Sequence, residues 1–394
     1  MRKNSWLSVL ILVLVILIGS SCKTLPLDDI QQRIDRIAAG YVPDKREGIA
    51  DISLIEGKNN RLVIKGETNY PELKKELYDT LNELGFVLID SISILPGVDL
   101  GDNIYGIVSL SVINLRKEPD HGAELVSQSI MGTPVRILKN ENYWLLIQTP
   151  DKYIAWTENS SVRRMNESEI EDWKAAPKLI YMNNSGWIYE SNDEKGVIGD
   201  LVAGCIMKSA GSSKGYVRVI LPDGREGVVR EKSVREFNNW KSGETASGDD
   251  IYKVASTMMG IPYLWGGSSA KAVDCSGFVQ SVYFLHGIIL SRDASLQVLH
   301  GQPVDIINGW NNLQAGDLLF FGSVRNSRHR VTHVAIYKGE SEFIHSAGRV
   351  MVNSLDSTRS NYSSYRKNSL LSARRIIGSQ GSEGIASVKD HNWY

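Results

Sequence analysis

The 394-residue chain is poor in cysteine: it has three, at positions 22, 205 and 275, with no C-x-x-C pair and no metal-ligand spacing. A disulfide scaffold or a zinc module is therefore not the basis of the fold, and no metal or organic cofactor is implied. An excess of either charge is also missing, since the formal net charge is −1. A phosphate-binding surface shows as a basic surplus, so no nucleic-acid partner is expected. Long hydrophobic runs are scarce: the stretch from Trp6 to Ile18 is short for a membrane span and follows Arg2 and Lys3. That layout marks an export signal, so the chain is expected outside the cytoplasm. What is present is ordinary globular composition, 42% apolar and 23% charged, at a length that suggests roughly two to four domains.

The densest chemistry lies between Pro262 and Gly287. Paired glycines, Gly266 and Gly267, mark a loop, and Phe278, Val279, Val282, Tyr283 and Leu285 then follow a helical period that stops at Gly287. Asp274 is the expected N-cap, which puts Cys275 in the first turn. A helix start stabilises a thiolate, so the sequence predicts a lowered cysteine pKa and a nucleophile. Such a thiol needs a base, and the base an orienting group. Val331 to Tyr337 and Ser341 to His345 alternate like two strands, with Lys338, Gly339 and Glu340 as the turn. A hairpin centred on Gly339 makes His333 and His345 direct cross-strand neighbours, with Cβ atoms roughly 5 Å apart. His333 is then the base and His345, kept neutral, the orienter. Cys205 reads as a small core residue, although sequence alone leaves a Cys205–Cys275 bridge open. The histidines at 121, 286, 300 and 329 lack any such pattern and read as surface or capping residues.

The blocks Pro-Tyr-Leu-Trp-Gly-Gly, Asp-Cys-Ser-Gly, Leu-Ser-Arg-Asp-Ala-Ser (290–295), Ala-Gly-Asp-Leu-Leu-Phe-Phe (315–321), Thr-His-Val-Ala-Ile-Tyr (332–337) and Phe-Ile-His-Ser-Ala (343–347) occur in this order. Together they resemble the NlpC/P60 family of papain-like cell-wall peptidases. The resemblance implies that Tyr263 joins the Cys275 backbone N–H as an oxyanion donor, and that Ser276 and Ser295 bind the substrate carboxylate or peptide backbone. Asp274 is expected to receive the substrate's free amine as well as capping the helix. The resemblance further implies cleavage between γ-D-glutamate and an L-diamino acid, diaminopimelate or lysine, in peptidoglycan stem peptides or released muropeptides. The N-terminal run, ending in Gly-Ser-Ser-Cys22, resembles a lipoprotein signal with Cys22 as lipid acceptor, which implies a membrane anchor; a plain cleaved signal is the other reading.

Upstream, residues 28–100 read as helix, strand, strand, helix, strand: a small α/β module, taken as a spacer or brace. From 104 to 237 short strands alternate with turns. Pro150-Asp-Lys-Tyr-Ile-Ala-Trp with Ser161-Val-Arg matches Pro222-Asp-Gly-Arg-Glu-Gly-Val with Ser233-Val-Arg at a constant offset of 72 residues. A gapless offset means two copies of one unit, and each resembles a bacterial SH3 barrel (104–165 and 178–237). Trp144, Tyr153 and Trp156 are candidate ligand aromatics in the first, although Trp156 reads better as core. In relatives with this layout the barrel roofs the site and supplies an acidic residue and a tyrosine; Glu118 and Tyr153 match, which implies a pocket for peptides with a free N-terminal L-Ala.

The expected architecture is thus α+β: a signal at 1–22, the α/β module, two SH3-like barrels, a papain-like domain at 248–378 and a disordered tail at 379–394, acting as a monomer. Two other readings remain at this level: a non-catalytic cell-wall peptide-binding lipoprotein, and a transacylase that uses the same triad.

Overall fold

A computed structural model describes residues 26–56 and 61–394. The expected signal and Cys22 lie outside the described residues. Among those residues, no helix is long and apolar enough to cross a membrane.

The N-terminal module is a three-stranded sheet (Ala50–Glu56, Arg61–Thr68, Val87–Ile94) with helices Leu27–Tyr41 and Pro71–Glu83 on one face. The last two strands run parallel, because the second helix crosses over between them. That helix begins with Pro71, where a missing N–H costs nothing, and buries Leu73, Leu77 and Leu81 at helical spacing.

Two seven-stranded sheets follow, at the places of the expected first and second barrels. Counting strands within each barrel, both sheets have the order 7-1-4-5-6-2-3. A 3-10 turn precedes the last strand of each, at Asn159–Ser161 and Glu231–Ser233, 72 residues apart, so the duplication extends to the connections. Helix Glu167–Ala175 joins the barrels, its N-terminus closed by an Asn166–Glu169 capping box. Cys205 has no exposure in the second barrel's core and, like Cys275, is a free thiol.

The C-terminal domain is a six-stranded sheet, in spatial order Gln302–Val304, Leu370–Arg375, Leu318–Arg325, Arg328–Gly339, Glu342–Ala347 and Arg349–Ser354. Helix Cys275–Phe284 packs on it through Phe278, Val279, Val282 and Tyr283, none of which is exposed. Two glycines set the approach. A Cβ on Gly277 would lie 2.1 Å from the Gly267 carbonyl oxygen, so the helix's first turn sits directly on the preceding loop. A Cβ on Gly266, which also has φ of 76°, would lie 2.4 Å from the Leu125 carbonyl oxygen of the first barrel. That joint is therefore backbone against backbone.

Two expectations are corrected. The segment at 379–394 is not a disordered tail: Ile385–Ser387 pairs antiparallel with Ile288–Leu290, and Ile385 and Val388 are buried. Its last residues lean on the first barrel and on the Cys275 helix, with His391 Nε2 3.2 Å from the Pro150 carbonyl oxygen and the Tyr394 ring tilted against Phe237 and Phe284. The hairpin does not turn about Gly339 either. Its turn is Glu340-Ser341, both at positive φ (50° and 63°), with a bulge before Gly339. Ile336 therefore faces Ile344, and His333 and His345 are diagonal rather than direct neighbours.

Candidate active site

Cys275 opens its helix, with Asp274 as N-cap accepting from Gly277 N–H at 2.7 Å. The sulfur lies against the backbone N–H groups of Val334 and Ser276. Val334 follows His333, so the strand that carries the imidazole also touches the thiol. The diagonal register still brings the rings together: His333 Nε2 lies 2.7 Å from His345 Nδ1, and the rings are nearly perpendicular. His345 Nε2 in turn lies 2.8 Å from Asn353 Oδ1, and the Asn353 amide donates from Nδ2 to the Asn361 carbonyl at 3.1 Å.

This chain of contacts fixes the protons. Asn353 Oδ1 accepts, so His345 carries its proton on Nε2. Burial holds the His345 pKa down at about 4, so its Nδ1 is a bare acceptor near neutral pH. His333 must then donate from Nε2, which leaves its Nδ1 lone pair free to take a proton. Burial, then His345 and the half-buried Arg366, keep the His333 pKa well below its ordinary value.

The thiol departs from the sequence expectation. Burial, and then the Asp274 carboxylate, push Cys275 up to about 11, outweighing the Val334 amide of the neighbouring strand, Arg292 and the Ser276 amide at the helix start. Both groups thus rest neutral, the Cys275 thiol and the His333 imidazole. Tyr263, half-buried, is likewise held as a phenol, raised to about 12 by burial and by Cys275 and Asp274.

A cleft of about 540 Å³ opens over Cys275. Tyr263, Ser276 and Ser295 line it from the catalytic domain, and Tyr153, largely buried, from the first barrel. Two residues expected to bind substrate are placed differently from that expectation. Asp274 lines the cleft, but both its oxygens are engaged, by Arg292 (2.6 and 3.1 Å), Gly266 N–H, Gly277 N–H and the Ser276 hydroxyl, which leaves it little capacity for a substrate amine. Glu118 is exposed and lies off the cleft wall; Glu124 lines it instead, accepting from Trp265 Nε1 at 2.9 Å.

Sequence reasoning missed Arg292, Asn353 and Asp293. Arg292 is completely buried, ties Asp274 to the Ser276 hydroxyl, and donates to Ser127 of the first barrel at 3.0 Å. Its signal was a cation two residues after the apolar run Ile288 to Leu290, inside a block already singled out. Asn353 had a weaker signal, a polar residue after the apolar run Val350 to Val352 of its strand. Trp144 and Trp156 do not line the cleft: Trp144 is mostly buried, and Trp156 packs with Leu95, Leu138 and Leu146.

Residues 260–375 match the NlpC/P60 family, and residues 115–162 match the bacterial dipeptidyl-peptidase SH3 domain. The chain is similar to dipeptidyl-peptidase 6 of Lysinibacillus sphaericus, 30% identical over 260 residues, which is 64% of this chain and 91% of that protein. It is also similar to a γ-D-glutamyl-L-lysine dipeptidyl-peptidase of Bacillus cereus, 26% identical over 231 residues, 57% of this chain and 67% of that one. A crystal structure of an NlpC/P60 family protein from Bacillus cereus has the same fold, with a TM-score of 0.59 at 22% identity over 69% of this chain and 99% of the other.

Proposed function

The chain belongs to the NlpC/P60 family and is a cysteine peptidase, and from that premise we propose that it cleaves γ-D-glutamyl to L-diamino acid bonds in peptidoglycan-derived stem peptides, releasing L-Ala-γ-D-Glu. The observation that carries this reading is the His333–His345–Asn353 chain, which leaves an unprotonated Nδ1 on the strand that touches the Cys275 sulfur.

In the first step the sulfur attacks the γ-carbonyl carbon of D-glutamate while its proton passes to His333 Nδ1. Because thiol and imidazole both rest neutral, the transfer accompanies attack and is not stored beforehand as an ion pair. The Cys275 backbone N–H and the Tyr263 phenol are the donors for the oxyanion. Collapse breaks the C–N bond, and His333 returns the proton to the departing α-amine. Water then attacks the thioester with His333 as base, which frees the dipeptide acid and restores the thiol. Ser276 and Ser295 are assigned to the substrate's carboxylate and backbone, and Tyr153 to the wall beyond its N-terminal alanine.

We assign the enzyme to an exported, lipid-anchored location through Cys22. Fatty-acid labelling that survives Cys22→Ala would remove the anchor. For the chemistry, Cys275→Ala is expected to abolish release of lysine or diaminopimelate from L-Ala-γ-D-Glu-diamino acid peptides. Turnover at the wild-type rate would end the mechanism, and product analysis with an added amine acceptor separates hydrolysis from acyl transfer. A free tripeptide should outcompete the same peptide still joined to muramic acid; equal rates would remove the restriction to free amines.

A further inference from the structure

The N-terminal module lies outside both matched segments, residues 115–162 and 260–375, yet it reaches the cleft over Cys275. The connection from its first helix to its first strand is strapped to the first barrel beside Tyr153: Ile154 N–H donates to the Arg46 carbonyl at 2.8 Å, and Gln148 Nε2 to the Glu47 carbonyl at 3.1 Å. Lys45 and Arg46 thereby become part of the cleft wall. The Arg46 guanidinium is held by two carboxylates. Its Nε and Nη2 grip Asp44 at 2.8 and 2.6 Å, and its Nη1 donates to Asp293 Oδ2 at 2.6 Å and to Ser295 Oγ at 3.2 Å. Asp293 and Ser295 flank the start of helix Ala294–Gln297 on the cleft floor. The other carboxylate oxygen, Asp293 Oδ1, has no hydrogen-bond partner among the described residues. With Asp274 heavily engaged, Asp293 is a carboxylate of the catalytic domain in this cleft that still has an oxygen to offer.

We propose that Arg46 is a positioning residue for substrate, holding Asp293 by one oxygen so that the other meets the N-terminal ammonium of the peptide, and that the N-terminal module is thus part of the specificity site. This rests on the free-amine dipeptide reading above. A planar guanidinium suits the task because it bridges two carboxylates and a hydroxyl in fixed directions, which a lysine ammonium does not. The groups facing Asp293 are Arg292 and Asp274 from its own domain, Arg46 with Asp44 from the module, and Tyr153 from the barrel; Lys45 and Glu124 line the same cleft. Burial raises the Asp293 pKa, while Arg292 and then Arg46 oppose it. Losing Arg46 therefore moves protonation of Asp293 to higher pH.

The test compares wild type with Arg46→Met, Arg46→Lys and Asp44→Asn on L-Ala-γ-D-Glu-L-Lys and on its N-acetyl form. Arg46→Met is expected to raise KM for the free-amine peptide roughly tenfold to a hundredfold, with kcat within about twofold. The acid limb of kcat/KM should shift upward for that peptide and not for the acetylated one. Arg46→Lys should recover part of the loss, and Asp44→Asn, which leaves the cation in place, should fall between. If Arg46→Met fails to fold, the other two variants carry the comparison. Binding of L-Ala-γ-D-Glu to the Cys275→Ala protein, with and without Arg46→Met, gives a readout independent of turnover. Unchanged discrimination between the two peptides overturns the proposal while leaving the hydrolytic reading intact. Arg46-dependent dipeptide binding without cleavage does the reverse, and no dipeptide binding in either protein overturns both.

Discussion

Asn353 touches neither the thiol nor the cleft, yet the proton arrangement predicts that it matters to rate. Replacing it with alanine removes the acceptor 2.8 Å from His345 Nε2 and leaves a buried N–H unpaired. Such a group costs about 1–3 kcal/mol. The imidazole can escape that cost by moving its proton to Nδ1, which then faces His333 Nε2 at 2.7 Å. His333 must accept there, so its own proton goes to Nδ1 and the lone pair that takes the cysteine proton is lost. If the swap becomes favourable by about 1–2 kcal/mol, the productive population falls roughly 5- to 30-fold, and kcat with it. KM should change little, because the substrate does not meet this side chain. Asn353→Asp keeps an acceptor at the same place and should stay within a few-fold of wild type. Steady-state kinetics of both variants, with nitrogen NMR of the two imidazoles, make the check. Asn353→Ala with kcat within twofold of wild type and the His345 proton still on Nε2 would refute the reasoning.

Other outcomes follow from the same site. Because the His333 pKa is lowered, kcat/KM should stay flat as pH falls through 6.5 and drop only below it; a limb at or above 6.5 sinks the assignment. Over the same range stability should decline with falling pH, since the unfolded chain binds protons that His333 and His345 refuse while folded. Iodoacetamide should alkylate Cys275 with a midpoint above that of a free cysteine; a midpoint in the acid range means the resting pair is ionised after all. Arg292→Met strands the Asp274 carboxylate in the interior and should cost about 3–5 kcal/mol, partly recovered by adding Asp274→Asn. A loss under about 1 kcal/mol in chemical denaturation would mean the pair is not the anchor described. Glu118→Gln should leave KM unchanged and Glu124→Ala should raise it a few-fold, and the opposite pattern would return the acidic wall to Glu118.

The helix that presents Cys275 was legible because its signals are local: a capping aspartate, a helical period and a glycine, Gly287, at φ of 74°. The duplicated barrels were legible for a similar reason, since the repeat keeps a fixed offset. The pairing of His333 with His345 was readable, but its register was not. A two-residue turn with both residues at positive φ normally carries Asn-Gly or a similar pair, and Glu340-Ser341 hides it. The thiol's acidity was misjudged because position on a helix shows in sequence and depth of burial does not. Asp274 looked available because its strongest partner, Arg292, is 18 positions away and meets it only in the folded chain. The last sixteen residues have the composition of a loose end, and only their contacts with Ile288–Leu290 and the first barrel reveal their order.

The joint at Gly266 has an evolutionary corollary. Where two main chains meet without intervening side chains, no substitution at the contact can widen or narrow the gap gradually; the distance is kept or the joint is lost. A lineage that needed a different aperture would have to leave this hinge alone and vary what stands at the rim. In this chain the N-terminal module stands at that rim and sets Arg46 across the opening.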